Sequence, residues 1–301
     1  MRPGFRCLAL MVFVLSAGTA RAAPHAKTAK AAKSPQGTSS RAAREEAVRA
    51  IPYARLDRAA RNKISSVLAN PTIFRCLPAQ TIECDPNLYL FLVEHPDVVV
   101  NLWEVMGISE VSLNRVAEAT FDANDKAGTR GRLEYLQHGP ELHLVYADGN
   151  YTGSLLPRPV RGQCVLLLRT SYLRSSDGRD FVRCKLDAFV RLDNVGVSVL
   201  AKTFQPLVVN NAEHNFRETI SFLASVHRAA EFNHSGVQRL AERLENVDAD
   251  ERERFADLTT RVAVRAALVR SGVQSRAALG LAAPQPAART ATRHGSASNP
   301  R

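Results

Sequence analysis

The stretch from Cys184 to Phe204, CKLDAFVRLDNVGVSVLAKTF, changes its hydrophobic period partway along. Up to Leu192 apolar and polar residues alternate, which predicts a strand with one buried face. Beyond that point, Val197, Leu200 and Phe204 recur at helical spacing. The sequence therefore predicts a strand that leads within a few residues into a long helix. A fold in which the last strand is joined so tightly to a long helix can turn that helix back across the sheet.

The net charge of +11 is concentrated at the two ends of the chain. Residues 1–50 hold nine Lys or Arg and two Glu, and residues 259–301 hold seven Arg and no acidic residue. Residues 51–258 hold 24 basic and 27 acidic residues, a net charge of −3. Basic tails can contact anionic polymers or lipid headgroups, or they can be solvated and disordered. The nearly neutral middle gives no indication of specific nucleic-acid binding.

The first 22 residues have the pattern of an export signal. A basic start with Arg2 and Arg6 precedes a short apolar run, and Ala20-Arg21-Ala22 fits a cleavage site. We therefore expect a mature chain that begins at Ala23 and is exported, to the periplasm or the medium. An uncleaved anchor is the alternative. No later segment has the length and apolar character of a transmembrane helix, so we expect a protein that is not transmembrane.

Composition divides the rest of the chain. Residues 23–50 and 277–301 are rich in small and polar residues, which predicts disordered basic tails. Between them we expect an N-terminal helix within 51–71, a main domain over 72–232 and accessory helices within 233–276.

Capping residues and breaks locate the predicted helices. Asp57 begins the N-terminal helix, and Asp85-Pro86 begins a helix that breaks at His95-Pro96. A second short helix follows and ends at Gly107. Pro206 should kink or end the helix that follows the last strand.

Alternating residues predict seven strands. The first strand places four residues on one face: Phe74, Cys76, Ile82 and Cys84. The second strand is predicted to run without a break from Glu110 to Phe121, because every second residue from Val111 to Phe121 shares one face. Asp148-Gly149 predicts a hairpin turn, and Tyr151–Leu156 predicts a separate fifth strand after it. The seventh strand is the one that leads into the long helix.

This order of elements resembles the helix-grip fold of START-like domains, which include steroid and lipid transfer domains and polyketide cyclases. The resemblance covers roughly residues 72–232 and rests on element order and periodicity. The segments LPAQTIECDPNLYLFLVEHPDVVVNLWEVMGI and LDAFVRLDNVGVSVLAKTFQPLV also resemble an uncharacterised family of exported planctomycete proteins. The expected class is α+β: a seven-stranded antiparallel sheet gripping a long C-terminal helix, with an extra N-terminal helix and extra C-terminal helices.

The helix-grip resemblance implies a cavity between sheet and helix that holds an apolar or amphipathic molecule. The candidate cavity residues are Arg115, Tyr135, Tyr146, Thr170, Tyr172 and Phe204. Arg115 is the sharpest candidate, because it lies among apolar residues and a buried cation needs an anionic partner. That partner is either a ligand carboxylate or phosphate, or an internal carboxylate; a third possibility is a sheet-edge position from which Arg115 reaches solvent. Tyrosines at such positions are more often core residues with one satisfied hydroxyl than ligand contacts.

Four cysteines follow the export signal: Cys76, Cys84, Cys164 and Cys184. Their spacings match no metal-binding or redox motif, so they are either buried thiols or partners in one or two disulfides. The helix-grip resemblance implies that the first strand lies beside the last, so any bridge should join those strands.

No arrangement of residues in the sequence predicts catalysis. His214 and Glu218 share a helix face, but a metal site needs three or four ligands. We therefore expect no metal and no cofactor. The leading hypothesis is a non-enzymatic exported protein that binds a hydrophobic or amphipathic small molecule. The alternatives are a structural or partner-binding envelope protein with a solid interior, and a cyclase-like enzyme.

Overall fold

The computed structural model describes residues 37–153, 158–193 and 205–278. The export signal over 1–22, the C-terminal tail beyond residue 278 and the residue Phe204 lie outside the described residues. Among the residues that the structure describes, no helix is long and apolar enough to cross a membrane.

The fold is α+β and is built on an eight-stranded antiparallel sheet, which confirms the predicted class. The strands are β1 (Ile73–Cys76), β2 (Gln80–Glu83), β3 (Ser112–Ala117), β4 (Thr120–Asn124), β5 (Thr129–Gln137), β6 (Leu142–Tyr151), β7 (Val160–Arg174) and β8 (Asp180–Leu192). Their order is β1-β8-β7-β6-β5-β4-β3, with β2 also paired to β8. The first strand therefore lies beside the last, as the helix-grip resemblance implies.

The helices of the described residues are α1 (Arg41–Arg49), α2 (Arg58–Ala69), α3 (Pro86–Glu94), α4 (Pro96–Val105), α5 (Gln205–Phe232), α6 (His234–Glu242) and α7 (Ala249–Ala278), with a short 3-10 helix over Tyr53–Arg55. The predicted caps are confirmed. The Asp57 carboxylate accepts a hydrogen bond from the Ala60 amide at 2.7 Å. Asp85 accepts hydrogen bonds from the amides of Asn87 and Leu88.

Both faces of the sheet are covered. One face, here called the inner face, packs against α3 to α7 in a core that includes Leu133, Leu166 and Phe216. The opposite, outer face packs against α1 and α2 in a second core that includes Leu167 and Phe189. The central strands are buried on both sides, so they carry apolar residues at odd-numbered and even-numbered positions alike. The sequence pattern therefore does not reveal which of the two sets of side chains points to the inner face and which to the outer face.

The predicted first strand is two strands. Leu77, Pro78 and Ala79 interrupt it, since proline has no amide hydrogen for the ladder. Cys76 packs in the outer core, whereas Cys84 packs in the inner core. The prediction that they share a face is wrong because the interruption changes the face that the chain presents.

The predicted second strand is also two strands, β3 and β4. They form a tight hairpin around Glu118 and Ala119, with an irregular register between Arg115 and Ala117. These two interruptions account for most of the difference between the predicted sheet and the observed one.

The predicted hairpin at Asp148-Gly149 is wrong. Strand β6 continues through both residues to Tyr151 and pairs with β5 on one side and β7 on the other. Gly149 lies directly opposite Gly131 on β5 and Gly162 on β7. The glycine that indicated a turn is therefore one of a row of three across neighbouring strands. Residues 154–157 lie outside the described part of the chain, and Tyr151 belongs to β6, so the structure describes no separate fifth strand.

The predicted N-terminal tail over 23–50 ends earlier than the sequence indicated. Thr38 pairs with Cys76 through both backbone hydrogen bonds, and α1 follows it. The Glu46 carboxylate of α1 lies 2.9 Å from an Arg169 guanidinium nitrogen and 3.2 Å from Nζ of Lys185. Ala47 is fully buried against the outer face. A helix rich in Ala and Arg is thus held by tertiary contacts that its composition does not reveal.

The four described cysteines are buried free thiols. Burial raises the pKa of Cys164 and of Cys184 to about 12. The structure therefore agrees with the interpretation of these cysteines as buried thiols and not with the interpretation as disulfide partners.

Candidate functional site

An apolar pocket lies between the inner face of the sheet and the helices α3, α4 and α5. Its walls are Leu92, Val93, Pro96, Val99, Val100, Trp103, Val111, Leu113, Ala123, Leu133, Leu168, Thr219, Ile220 and Leu223. The Thr219 hydroxyl donates to the Asn215 carbonyl at 2.7 Å, so the one hydroxyl in the wall is already hydrogen-bonded. The pocket therefore offers an incoming group apolar contact and little else.

Local sequence explains how the walls are positioned. The break at His95-Pro96 separates two short helices, and each of them contributes walls to the pocket, Leu92 and Val93 before the break and Val99 and Val100 after it. Across the pocket, Ile220 and Leu223 belong to the stripe of α5 that the sequence predicts, and both are buried. The pocket volume is about 50 Å³. That space fits a small or slender apolar group.

Arg115 lies beside this pocket in a cluster of charged and polar side chains. Its guanidinium donates to both carboxylate oxygens of Asp97, with Nε–Oδ2 at 3.2 Å and Nη2–Oδ1 at 3.1 Å. The same Nη2 lies 3.1 Å from Oε1 of Glu251, and the guanidinium stands over the Phe121 ring at 4.8 Å. Of the three interpretations of Arg115, the structure therefore agrees with the internal ion pair, in which Asp97 and Glu251 are the partners.

His95 completes the cluster. Its Nδ1 lies 2.9 Å from Nη2 of Arg115, and because a guanidinium can only donate, this ring nitrogen is the acceptor. Burial, together with the nearby charges of Arg115 and Arg254, lowers the pKa of His95 to about 4. The imidazole is therefore neutral over the physiological range.

Burial raises the pKa of the two carboxyl groups in the cluster. For Asp97, burial outweighs the opposing effect of Arg115. For Glu251, burial is the largest cause of the raised pKa, and the negative charge of Asp97 raises the pKa further, against the opposing effect of Arg115. Glu251 belongs to the first turn of α7, so the cluster joins that helix to β3 and to the α3–α4 junction.

The other candidate cavity residues are distributed around the sheet. The Tyr135 hydroxyl donates to the Val93 carbonyl at 2.7 Å, and the Tyr172 hydroxyl donates to the Pro140 carbonyl at 2.7 Å. The hydroxyls of Thr170 and Tyr89 are 3.2 Å apart. These hydroxyls are engaged within the protein.

Tyr146, another candidate cavity residue, lies on the outer face of the sheet, on the side away from the pocket. It packs in the outer core with α1 and α2, and its hydroxyl accepts a hydrogen bond from Gln163 at 2.9 Å. The neighbouring Val145 and Ala147 face the inner core instead. Because β6 is buried on both sides, the apolar series that includes Tyr146 could have faced either layer.

Sequence reasoning missed a buried histidine on β6. His143 is 1% exposed, and neither ring nitrogen has a hydrogen-bond partner among the described residues. Its Nε2 lies 3.8 Å from Oε1 of Glu94, and His138 Nδ1 lies at the same distance from that oxygen. Burial lowers the pKa of His143 to about 4. A histidine in an apolar strand between Leu142 and Leu144 was the available signal.

The described part of the chain contains no cluster of three or more His, Cys, Asp or Glu side chains that could hold a metal ion. His214 and Glu218 form a surface pair at 3.9 Å on α5. Their contact is that of ordinary neighbours on a helix.

Comparison with known proteins gives structural neighbours only. No protein-family model matches the chain, and no curated protein matches it. A conserved protein from Geobacillus kaustophilus aligns with a TM-score of 0.30 at 12% identity, over 48% of this chain and 93% of that one. An uncharacterised protein from Rhizobium leguminosarum aligns with a TM-score of 0.29 at 10% identity, over 48% and 95%. A hypothetical protein from Helicobacter pylori aligns with a TM-score of 0.32 at 9% identity, over 49% and 86%. Similarity at this level assigns no function.

Proposed function

We propose that this protein is a non-catalytic binding protein for a slender apolar group, such as an alkyl chain, held between the sheet and α5. The observation that carries the proposal is the pocket between α3, α4, α5 and the inner face, whose walls are apolar except for one hydrogen-bonded hydroxyl. An apolar group entering such a pocket gains about 25 cal/mol for each Å² of surface removed from water.

The small size of the pocket sets the kind of ligand. Sites for drug-sized ligands occupy about 300–1,000 Å³, whereas this pocket has a volume of about 50 Å³. A bulky polycyclic ligand would have to displace the walls, but a narrow chain can enter with small movements of the side chains. Arg115 is already paired with Asp97, so the proposed ligand is recognised by its apolar part.

Uptake of a fluorescent fatty acid by the purified chain tests the proposal. Ala123 is in the pocket wall on β4, and Ala123→Leu adds bulk to the pocket. Ala188→Leu adds the same bulk on the same face of β8, away from the pocket walls. We expect Ala123→Leu to weaken uptake by about tenfold or more, because overpacking a well-fitted site costs about 1–3 kcal/mol.

Thermal melting of both variants separates uptake from folding. If the wild-type chain takes up no fatty acid, or if Ala123→Leu and Ala188→Leu take it up equally well, the pocket is not the binding site. If uptake is observed and depends on Ala123, mass spectrometry of lipids that co-purify with the protein identifies the class of the natural ligand.

A second candidate function is a structural or partner-binding protein with a solid interior. The small pocket volume is the observation that favours it. Under this candidate the wild-type chain takes up no fatty acid, and both leucine variants are merely destabilised.

We also propose that the chain is exported and is related to the START-like helix-grip proteins. The signal pattern over residues 1–22 supports export. The first strand beside the last, and the long helix α5 packed on the sheet, support the relationship. Amino-terminal sequencing of protein recovered outside the cytoplasm tests export, with Ala23 as the expected first residue.

A further inference from the structure

A buried histidine without a partner lies beside the apolar pocket. His143 on β6 is 1% exposed, and neither of its ring nitrogens has a hydrogen-bond partner among the described residues. The residue directly opposite it on β7 is Leu168, which is a wall residue of the pocket. A buried polar group that the chain leaves unpaired is costly, so it marks a place where a partner from outside the chain can bind.

Glu94, the last residue of α3, faces His143 across a gap. Nε2 of His143 lies 3.8 Å from Oε1 of Glu94, and Nδ1 of His138 lies at the same distance from that oxygen. A direct hydrogen bond is shorter than this. The space between these three side chains is here called the polar gap. Glu94 directly follows the wall residues Leu92 and Val93, so the polar gap adjoins the pocket wall on both α3 and β7.

The polar gap lies in a negative surround. Among the described residues, neither Glu94 nor Glu141 has an ion pair with a lysine or an arginine. Burial, and then the charges of these two carboxylates, raise the pKa of Tyr172 to about 12, so both carboxylates lie near that hydroxyl. His143 contributes no positive charge, because burial lowers its pKa to about 4. The gap therefore favours a group that is positively charged and donates hydrogen bonds.

We propose, building on the proposed function, that the ligand is a cationic amphiphile with a single alkyl chain and a primary ammonium head group. The chain lies in the apolar pocket, and the ammonium lies in the polar gap. There it donates one hydrogen bond to Oε1 of Glu94 and another to Nε2 of His143. Two acceptors 3.8 Å apart are both within reach of one nitrogen, because each such bond is about 2.7–3.0 Å long.

Other head groups match the polar gap less well. A carboxylate would meet Glu94 with like charge and has no hydrogen to donate. A hydroxyl donates a single hydrogen bond, so it would leave either Glu94 or the acceptor nitrogen of His143 unpaired. A metal ion is a poorer occupant too, since the described residues contain no group of three ligands that could hold one. The net charge of the chain, +11, attracts acids, so a preference for an amine cannot come from the overall charge.

Titration with three decyl ligands tests the proposal. Decylamine, decanol and decanoic acid share one chain and differ in the head group. Trp103 is the single tryptophan and a wall residue of the pocket, so its fluorescence reports entry of the chain whatever the head group. The titrations are made at pH 8, where an alkyl amine is charged and histidines are neutral. We expect decylamine to bind about tenfold more tightly than decanol, and decanoic acid to bind more weakly than decanol.

Three variants locate the head group. Glu94→Gln removes the charge with little change in size, and decylamine should then bind only as tightly as decanol. His143→Leu removes the buried acceptor and should reduce the preference for the amine by about threefold or more. Glu242→Gln, at an exposed glutamate of α6, is the matched control and should keep the full preference. The readout is the ratio of the two affinities within each variant, and thermal melting verifies that each variant is folded.

The outcomes separate this proposal from the proposed function. If none of the three decyl ligands changes the fluorescence of Trp103, both are overturned. If decylamine and decanol enter the pocket equally well, only the head-group assignment is overturned. A preference for decylamine that persists in Glu94→Gln would overturn it as well, because the ammonium would then lie outside the polar gap.

Discussion

Arg115 meets Asp97 with two parallel hydrogen bonds, from Nε to Oδ2 at 3.2 Å and from Nη2 to Oδ1 at 3.1 Å. Asp97 is 2% exposed, so its carboxylate has exchanged water for this guanidinium. The pair joins β3 at the sheet edge to the start of α4. An arginine that the sequence indicates as a ligand anchor thus has an internal partner.

Replacing Arg115 with Met should lower the free energy of unfolding by about 3–5 kcal/mol, because it leaves Asp97 buried without a counter-charge. The double variant Arg115→Met, Asp97→Leu should recover most of that loss, since no unpaired charge remains at the Asp97 position. Urea unfolding of the two variants and the wild-type chain measures the difference. A single variant as stable as the wild-type chain would contradict this account of the pair.

His143 should make the protein lose stability in acid. Its pKa is about 4 in the fold against an ordinary value of 6.5, so the unfolded chain binds the proton first as pH falls. The stability associated with neutral His143 is therefore complete above pH 6.5 and is lost as pH falls towards 4. Between pH 7 and pH 5, this one group should cost about 2 kcal/mol.

The variant His143→Leu should remove that part of the acid sensitivity and leave the part that His95 causes. His214→Leu, at a half-exposed histidine of α5, is the matched control and should keep the full loss. Urea unfolding at pH 7 and pH 5 gives both differences. If His143→Leu and the wild-type chain lose the same stability in acid, His143 is not neutral in the fold.

Two phenylalanines of α5 should respond differently to truncation. Phe216 is 5% exposed in the inner core, whereas Phe232 is 72% exposed. Phe216→Ala should cost about 3–5 kcal/mol, because it removes buried surface and leaves a cavity. Phe232→Ala should change stability by less than about 0.5 kcal/mol. Thermal and urea unfolding of the two variants check the contrast, and equal losses would mean that the face of α5 is assigned wrongly.

Two glycines with positive φ should also differ. Gly178 has φ of 84°, and a Cβ atom there would meet nothing within 4 Å. Gly128 has φ of 115°, and a Cβ atom there would lie 2.5 Å from the backbone of Gly153. Gly178→Ala should cost about 1–2 kcal/mol from backbone conformation alone. Gly128→Ala should cost more, because the β4–β5 turn must also move away from Gly153. Equal melting temperatures for the two variants would contradict the close approach.

The confirmed parts of the sequence prediction depend on neighbours in the chain. Asp57 and Asp85 cap helices whose first amides lie within three residues of them. His95-Pro96 separates α3 from α4 because proline cannot continue the preceding helix. The apolar stripe of α5, with Phe216, lies on one side of a helix whatever the rest of the chain does.

The incorrect parts depend on contacts between distant segments. Tyr146 has the alternation of a half-buried strand, but α1 and α2 cover the face that it occupies. Gly149 has the local signature of a turn, yet β5 and β7 pair with it on both sides. Short-range patterns contain no information about which layer covers a face or which strand lies alongside.

The sequence by itself determined the α+β class, the helix starts at Asp57 and Asp85, the break at His95-Pro96 and the separation of a nearly neutral body from basic ends. Only the tertiary structure decided that both faces of the sheet are covered, that Arg115 pairs with Asp97 and Glu251, and that the pocket is small and apolar. The physical reason is the range of the interactions. Caps, breaks and periodicity act within a few residues, whereas the desolvation of a charge and the volume of a cavity depend on all the segments that pack around them.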